Sequence, residues 1–361
     1  MQDIPKPRRT TRTVRIGDVS IGSGHPVVVQ SMANTDTRDV QATLAQIHDL
    51  AAAGCEIVRL AVVDMDAAHA IKAIRESSPV PLVADIHFDP RLAVASLEAG
   101  VDALRINPGN IGDREAVDRV VDAAKDRGAP IRIGVNSGSV EKSLLRKHGG
   151  PTPEAMVESA MRHVAMLESR DFYDIKLSLK SSSVLGTIAA YRLAAARCDH
   201  PLHIGVTEAG TPLRGAVKSS VGLGWLLAEG IGDTVRVSLT GDPVTEMTVA
   251  WELLRSLGLR ERGPEIVSCP TCGRTEIELV RLAEAVEKRL QGVTQVFTVA
   301  VMGCVVNGPG EAREADIGVA GGRGLGVIFR KGQVVRKVRG DDDLLAAFMD
   351  ELDDFLAQHK G

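Results

Sequence analysis

The sequence has no apolar run that approaches the roughly 20 residues needed to cross a bilayer. The N-terminal segment MQDIPKPRRTTR is charged, and no apolar stretch follows it, so it does not predict a secretory signal. Five cysteines in 361 residues do not make a disulfide framework, and their odd number fits a reducing cytoplasm. The net charge of −4 gives no reason to expect nucleic acid or a membrane surface as a partner.

The composition that remains, 44% hydrophobic and 25% charged, is typical of globular proteins. From about residue 27 to 259 one pattern repeats, in which a short β-branched run is followed by an apolar-periodic helix. The predicted strands are Val27–Ser31, Ile57–Ala61, Leu82–His87, Ala103–Asn107, Ile131–Asn136, Asp174–Lys180, Leu202–Glu208 and Thr234–Thr240.

The helices between these strands are predicted to begin near Asp39, Asp64, Asp89, Asp113, Thr152, Ser183, Arg214 and Asp242. Several of these starts are typical N-caps, namely Asp89 before Pro90, Asp113, and Asp242 before Pro243. Eight successive strand–helix units predict an α/β fold of the closed (β/α)8 TIM type over residues 1–260. An open doubly wound sheet is the alternative, but the first turn carries no GxGxxG motif.

A second, smaller domain is predicted over residues 265–361. The segment RERGPEIVSCP is read as a linker to it. Helices are predicted at Glu276–Leu290 and Leu344–His359, and strands at Gln295–Val301 and Asp316–Ala320. Gly326–Val338 is predicted to form a hairpin that turns at Lys331-Gly332, which gives a small α+β domain.

The predicted barrel strands alternate apolar residues with polar and basic ones. Side chains alternate faces along a strand, and the apolar set must face the surrounding helices. The polar set should therefore point into the barrel, where a purely structural core would carry Val, Ile and Leu. Its basic members are Arg59, Arg105, Arg132, Lys176, Lys180 and Arg236.

Six cations in one cavity predict an anionic ligand, most simply a phosphate or a diphosphate. The acids predicted nearby, Asp85 and Glu208, are too few to neutralise them. The alternative is that some of the basic side chains lie at the strand bottoms and extend to water.

Three other residues at strand ends have two interpretations each. Glu208, in VTEAG, either balances an arginine or acts as an acid or base. His87, in ADIHFDP, is either a hydrogen-bonded structural residue or part of the site. Asn107, in INPGN, either shapes a turn or contacts the ligand.

The second domain contains a cluster of potential metal ligands. Cys269 and Cys272 lie in CPTCGR, Cys304 lies in MGCVVNGPGE, and Glu311 ends that run. Three thiolates are one fewer than usually hold an iron–sulfur cluster, which leaves one iron for a weaker ligand or for substrate. The spacing also suits a structural zinc ion, although no fourth Cys or His lies near. Glu311 is either that weaker ligand or a solvated turn residue.

Taken together, the motifs MGCVVNGPGE, CPTCGR, VTEAG, QSMANTDT, ADIHFD and RINPGN resemble the 4-hydroxy-3-methylbut-2-enyl diphosphate synthase family of the methylerythritol phosphate pathway, in its shorter bacterial form. The resemblance spans nearly the whole chain. It implies reductive ring opening and dehydroxylation of 2-C-methyl-D-erythritol 2,4-cyclodiphosphate. It also implies a 4Fe–4S cluster, flavodoxin or ferredoxin as electron donor, and a homodimer in which the cluster domain of one subunit caps the barrel of the other.

The resemblance also assigns roles to individual residues. Cys269, Cys272 and Cys304 match the cluster cysteines, Glu311 matches the carboxylate ligand that substrate displaces from the fourth iron, and Glu208 matches the proposed acid/base. Arg59, Arg105, Arg132 and Lys176 match basic residues that hold the diphosphate, and Asn307 falls near the cluster, where it can reach substrate. Together with the inward and strand-end residues identified from the alternation, the residues expected to bind substrate are Arg59, His87, Arg105, Asn107, Arg132, Asn136, Lys176, Ser178, Lys180, Arg236, Ser238 and Asn307.

Two rival functions are consistent with parts of the pattern. One is a non-redox phosphate-binding barrel enzyme, similar to the pterin synthases, with a structural zinc module. The other is a non-enzymatic iron–sulfur sensor, but a sensor would not need inward-facing cations and should present a basic nucleic-acid face. Iron with acid-labile sulfide, as opposed to zinc, distinguishes the first rival from the reductive enzyme.

Overall fold

The computed structural model describes residues 4–107, 111, 114–304, 314–322 and 324–358. The chain divides into two compact units, residues 1–260 and 261–361. Among the described helices, none combines the length and the apolarity that a membrane span requires.

The first unit is a (β/α)8 barrel, as the sequence predicts. Its strands are β3 (Val28–Met32), β4 (Ile57–Val62), β5 (Leu82–Ile86), β6 (Ala103–Ile106), β7 (Ile131–Asn136), β8 (Ile175–Lys180), β9 (His203–Ile204) and β10 (Thr234–Val235). They are parallel and run in the order β8-β7-β6-β5-β4-β3-β10-β9, and a bridge between Leu177 and Leu202 joins the two ends of that order.

Helices surround these strands and bury their apolar faces against them. The helices are α1 (Val40–Ala52), α2 (Met65–Ser77), α3 (Pro90–Glu98), α4 (Arg114–Arg127), α5 (Lys142–His148), α6 (Pro153–Glu168), α7 (Val184–Arg197), α8 (Pro212–Ala228) and α9 (Pro243–Ser256). The outward strand residues, such as Leu60, Leu104 and Ile133, belong to one apolar core with the inner helix faces. This confirms that the apolar set of each strand faces the helices.

A short hairpin closes the N-terminal end of the barrel. Strands β1 (Val14–Ile16) and β2 (Val19–Ile21) pair antiparallel, and Ile16 and Ile21 pack on Val28, Ile57 and Val83 inside the barrel. The lowest layer of the interior is therefore apolar, and the polar residues begin above it.

Most predicted helix starts are correct because the local capping chemistry is strong. Asp39, Asp64 and Asp89 each accept a hydrogen bond from a backbone N–H in the first turn of α1, α2 and α3. The start predicted near Arg214 is late, because α8 begins at Pro212, a residue suited to the first turn of a helix. Asp113 lies outside the described residues.

Strands seven and eight were predicted too long. Strand β9 ends at Ile204, well before Glu208, whose φ of 52° is incompatible with an extended strand. Strand β10 ends at Val235. Beyond it, the backbone N–H of Leu239 donates to the Glu246 carboxylate instead of to a neighbouring strand.

The described residues of the second unit form the elements β11 (Glu265–Ser268), α10 (Leu279–Leu290), β12 (Thr298–Met302), β13 (Ile317–Gly322), β14 (Leu325–Arg330), β15 (Gln333–Val338) and α11 (Asp341–Gln358). These strands form a mixed sheet in the order β11-β12-β13-β14-β15. The predicted hairpin turn is correct, since Lys331 and Gly332 both have positive φ. The interpretation of RERGPEIVSCP as a linker is wrong in part, because Glu265–Ser268 is the edge strand β11, which pairs parallel to β12.

Candidate active site

The inward residues of the barrel strands surround a cavity of about 160 Å³ at the C-terminal end of the barrel. Nine residues predicted from the sequence lie on its wall. They are Arg59, His87, Arg105, Arg132, Asn136, Ser178, Lys180, Arg236 and Ser238. Asp85 and Thr207 complete the lining. Five of these eleven residues are arginine or lysine, so the cavity is suited to an anion.

Asp85 is the carboxylate within this cluster. Its Oδ1 accepts a hydrogen bond of 2.9 Å from Arg105 Nη1, and its Oδ2 lies 3.4 Å from Arg59 Nε. Arg105 Nη1 also lies 2.9 Å from His87 Nε2. Burial alone would raise the pKa of Asp85, but the surrounding positive charge lowers it, so the residue stays ionised. Asp85 thereby fixes two guanidinium groups in place and leaves the cavity cationic.

Two inward glycines make room for the long basic side chains. A Cβ on Gly134 would lie 2.6 Å from Arg105 Nε, and a Cβ on Gly205 would lie 2.6 Å from Lys180 Nζ. The Gly205 position would also bring that atom within 2.9 Å of the Arg236 backbone oxygen. Any larger residue at these positions would displace a cation or the backbone beside it.

A buried glutamate on α9 supports the part of the wall that carries Arg236 and Ser238. Glu246 Oε2 accepts a hydrogen bond of 2.8 Å from Ser31 Oγ and lies 3.9 Å from Arg236 Nε. Its other oxygen accepts from the backbone N–H of Leu239 at 3.0 Å. Glu246 therefore holds the segment that carries Arg236 and Ser238 against strand β3.

Burial and mutual repulsion disfavour the charged forms of several basic side chains in the cavity. Burial lowers the pKa of Arg59 to about 9, because the attraction of Asp85 only partly offsets the loss of water and the repulsion of neighbouring arginines. Burial, followed by the same kind of repulsion, also lowers the pKa of Arg132 and of Lys180 well below their usual values. An anion in the cavity would relieve this repulsion, which favours its binding.

Two predicted ligand residues do not line this cavity. Lys176 pairs with Arg132 across β7 and β8, and it lies deeper, beside a space of about 10 Å³ that Gln30 also lines. Asn107 is buried directly after β6.

Glu208 lies at the mouth of the barrel, with its side chain exposed. Its φ of 52° lies in the left-handed region, which non-glycine residues rarely adopt. Such strain is concentrated at functional sites, where the surrounding structure maintains it. Within the described part of the chain, the ion pairs of the cavity arginines involve Asp85 and Glu246 and not Glu208.

The second unit brings the three cysteines to one end of its sheet. Cys269 directly follows β11, and its N–H donates to Val301 O on β12 at 3.1 Å. Cys304 is buried two residues after β12 ends. Cys272 is exposed, and a hydrogen bond from the Arg274 backbone lowers its pKa, which favours the thiolate that metals bind. Asn307 and Glu311 lie outside the described residues.

The donor set fits an iron–sulfur cluster, because Cys269, Cys272 and Cys304 are unpaired thiols that follow two adjacent parallel strands. In the described ranges, no three His, Cys, Asp or Glu side chains are close enough to hold one metal ion.

Sequence reasoning missed three contributors to the cavity. Thr207 is uncharged and precedes Glu208, which gives the stronger chemical signal in that segment. Gly205 follows the last residue of β9 and gives no chemical signal of its own. Glu246 lies on a helix, and nothing in its sequence context shows that it turns toward the barrel interior.

Two family models match the chain in succession. Residues 11–251 match the GcpE TIM-barrel domain, and residues 265–354 match the GcpE protein C-terminal domain.

Curated relatives match over almost the full length. A protein of Maridesulfovibrio salexigens named 4-hydroxy-3-methylbut-2-en-1-yl diphosphate synthase (flavodoxin) is 70% identical, and the match covers 98% of this chain and 99% of the relative. A protein of the same name from Nitratidesulfovibrio vulgaris is 71% identical, with 98% and 92% covered.

Among solved structures, the barrel is similar to the dihydropteroate synthase of Stenotrophomonas maltophilia. The identity is 13%, the TM-score is 0.49, and the match covers 68% of this chain and 99% of that structure. A likeness this weak carries no argument about function, so it does not support a pterin-synthase-like activity.

Proposed function

Because this chain belongs to the GcpE family, whose curated members are named as the flavodoxin-dependent synthase, we infer that it is an iron–sulfur oxidoreductase of isoprenoid biosynthesis. It converts 2-C-methyl-D-erythritol 2,4-cyclodiphosphate to 4-hydroxy-3-methylbut-2-enyl diphosphate. The reaction takes up two electrons and protons, opens the ring at a C–O bond and releases the lost hydroxyl as water.

The observation that carries this proposal is the cationic cavity. Its volume of about 160 Å³ and its five basic side chains suit a compact, doubly charged ligand. Asp85 forms ion pairs with Arg59 and Arg105, so it fixes those two side chains but does not neutralise all five basic residues of the cavity. A ligand that carries its charge on a diphosphate matches this arrangement.

The wall residues divide by chemistry into two groups. The diphosphate is held by the cations Arg59, Arg105, Arg132, Lys180 and Arg236, with Lys176 acting from beneath Arg132. The carbon skeleton and its hydroxyls are oriented by the remaining polar residues: His87, Asn107, Asn136, Ser178, Ser238 and Asn307. Fixing the ligand at many points lowers the entropic barrier to its reaction.

The cluster belongs to the second unit. Cys269, Cys272 and Cys304 would hold a 4Fe–4S cluster, and Glu311 would complete its coordination. When bound, the cluster supplies the two electrons. A three-cysteine site suits chemistry as well as electron transfer because one iron stays available to a weaker ligand.

Glu208 acts as the proton donor at the barrel mouth. Its exposed carboxylate can reach water, and its strained backbone fixes the direction in which the side chain projects. In this role it delivers the proton that converts the departing hydroxyl to water.

Flavodoxin or ferredoxin delivers the electrons, and a homodimer completes the site. Apolar side chains follow four barrel strands at the C-terminal face and are exposed there: Val63, Phe88, Leu185 and Leu213. This rim supports a model in which the cluster domain of the partner covers the mouth and excludes water from it. Five unpaired cysteines are also the reason to place the protein in the reducing cytoplasm.

The test is chemical analysis of anaerobically purified protein followed by turnover with reduced flavodoxin. We expect iron with acid-labile sulfide, and formation of the linear diphosphate from the cyclodiphosphate. Zinc without sulfide, or a protein that carries the cluster but neither binds nor consumes the cyclodiphosphate, would refute the proposed function.

A further inference from the structure

Polar side chains continue below the cavity. Gln30, Arg132, Lys176 and His203 point into the barrel from four strands, and each is at most 3% exposed. They lie above the apolar floor formed with the β1–β2 hairpin, and Arg132 also reaches the cavity wall.

These side chains leave several polar atoms without a protein partner. Lys176 Nζ, both amide atoms of Gln30, Arg132 Nε and Nη1, and His203 Nε2 make no hydrogen bond to the described residues. His203 Nδ1 does pair with Thr234 Oγ1 at 2.9 Å, so the ring is fixed with its other nitrogen inward. Buried polar atoms in native proteins are seldom left in this condition without a functional reason.

The charges around Lys176 come from several elements, and most are positive. Arg132 faces it from β7 and Arg59 from β4. His203 is its neighbour from β9. The nearest acid is Asp233, before β10, but its carboxylate already accepts hydrogen bonds from Arg8 and from the backbone N–H of Leu202.

This environment opposes a charge on Lys176. Burial, followed by the repulsion of Arg132, lowers the pKa of the amine well below its usual value. Burial likewise lowers the pKa of His203, so the imidazole beside it is neutral. Lys176 lies two residues before Ser178 on β8, so its backbone is about 7 Å below that of this cavity-lining residue.

We propose that Lys176 is a charge reserve for the anion site: its amine is neutral while the cavity holds no anion, and it takes up one proton from solvent when a cyclic diphosphate fills the cavity. The proposal relies on the proposed function for the identity of the ligand. The ammonium then adds a positive charge directly behind Arg132, and the proton returns to solvent when the ligand leaves.

The physical reason is the sign of the field. Two negative charges in the cavity attract a proton to the nearest amine that lacks one, and the low dielectric of the barrel interior makes that attraction strong. Lys180 lies in the wall and will respond in the same direction, so the contribution of Lys176 has to be isolated by substitution.

The experiment is calorimetric titration of the oxidised holoenzyme with 2-C-methyl-D-erythritol 2,4-cyclodiphosphate. Without reductant no turnover occurs, and each phosphorus of this cyclic diester has a single strongly acidic hydroxyl, so the ligand itself exchanges no proton near pH 8. Repeating the titration in buffers of different ionisation enthalpy gives the number of protons taken up. The variants are Lys176→Met and, as a matched control, Lys125→Met on the outer surface of α4.

We expect proton uptake in the wild type, a smaller uptake in Lys176→Met, and no change in Lys125→Met. Equal uptake in Lys176→Met and wild type would overturn the proposal. So would a wild-type Kd that stays constant from pH 7 to 9.5, a measurement that does not depend on how the variant folds. If the holoenzyme does not bind the cyclodiphosphate at all, the proposed function fails. Binding without proton uptake refutes only the role of Lys176.

Discussion

At the scale of single residues, Glu208 combines an exposed carboxylate with a backbone conformation that costs free energy for any residue other than glycine. Replacing it by Gln keeps the size and the polarity of the side chain but removes the proton donor. We expect Glu208→Gln to reduce kcat by about 100-fold or more while the Kd for the cyclodiphosphate stays within about twofold. Single-turnover kinetics and calorimetry separate the two effects, and a fully active variant would remove Glu208 from the mechanism.

Gly205 controls the position of Lys180. An added Cβ would lie 2.6 Å from Lys180 Nζ and 2.9 Å from the Arg236 backbone oxygen, so the lysine or the chain must move. The loss of one charge-assisted hydrogen bond to the diphosphate predicts a Kd for the cyclodiphosphate raised about 10- to 100-fold in Gly205→Ala.

The matched control for this prediction is Gly138→Ala. Gly138 lies in the turn after β7 and has nothing within 4 Å of an added Cβ, so its Kd should not change. Equal Kd values for the two variants would show that the clearance beside Lys180 is not needed for binding.

At the scale of secondary-structure elements, the parallel pair β11–β12 determines where the cluster can be assembled. Both strands end at the same edge of the sheet, and Cys269 and Cys304 follow them there. Cys272 is exposed, and its pKa is lowered, so it is the thiolate most open to incoming iron.

We expect Cys272→Ser to lose most of the iron and acid-labile sulfide of the anaerobic protein. Cys198→Ser is the control, because Cys198 ends α7 in the barrel and its Sγ donates to Ala194 O at 3.4 Å. Metal and sulfide analysis, together with absorption spectra, measures both variants. Full iron content in Cys272→Ser would show that this cysteine is not a ligand.

The sequence predicted the barrel elements where the signals are local. Capping aspartates and the two-residue alternation of β4 to β8 depend on neighbours along the chain, so they were readable without a structure. The hairpin β1–β2 was missed because its three-residue strands are too short to show a period. Strand β11 was missed because it is defined by its pairing with β12, which lies about thirty residues later in the sequence. The local pattern of residues around Glu265–Ser268 does not reveal that pairing.

In the candidate site, too, the sequence predicted the residues whose positions follow from a local pattern. The inward alternation identified Arg59, Arg105 and Lys180 because face follows directly from strand position. It could not rank depth, so Lys176 was grouped with residues that line the cavity wall. It also could not find Gly205 or Glu246, whose contributions are clearance and support from another element and exist only in the folded chain.

At the scale of the whole molecule, helix α8 presents an apolar stripe on the outside of the barrel. Leu213, Val217, Val221 and Trp225 recur every fourth residue, and each is more than half exposed. Residues four apart lie on one face of a helix, so the stripe is continuous. A solvent-exposed helix seldom carries such a stripe unless another surface covers it, which supports the proposed homodimer.

We expect Val221→Glu to shift the protein toward the monomer, because a charge at the centre of the stripe would be buried without a partner. Arg119→Glu is the control, since it lies on the exposed face of α4, which α6 and α7 separate from α8. Sedimentation velocity measures the association state. A Val221→Glu protein that remains as dimeric as the control would exclude α8 from the interface.

The hairpin β1–β2, which fills the N-terminal end of the barrel with Ile16 and Ile21, has a kinetic consequence. Because that end is closed, product must leave the barrel through the same opening by which the next substrate molecule enters. Arrival and departure therefore alternate, and a product that retains its diphosphate will compete for entry as it accumulates.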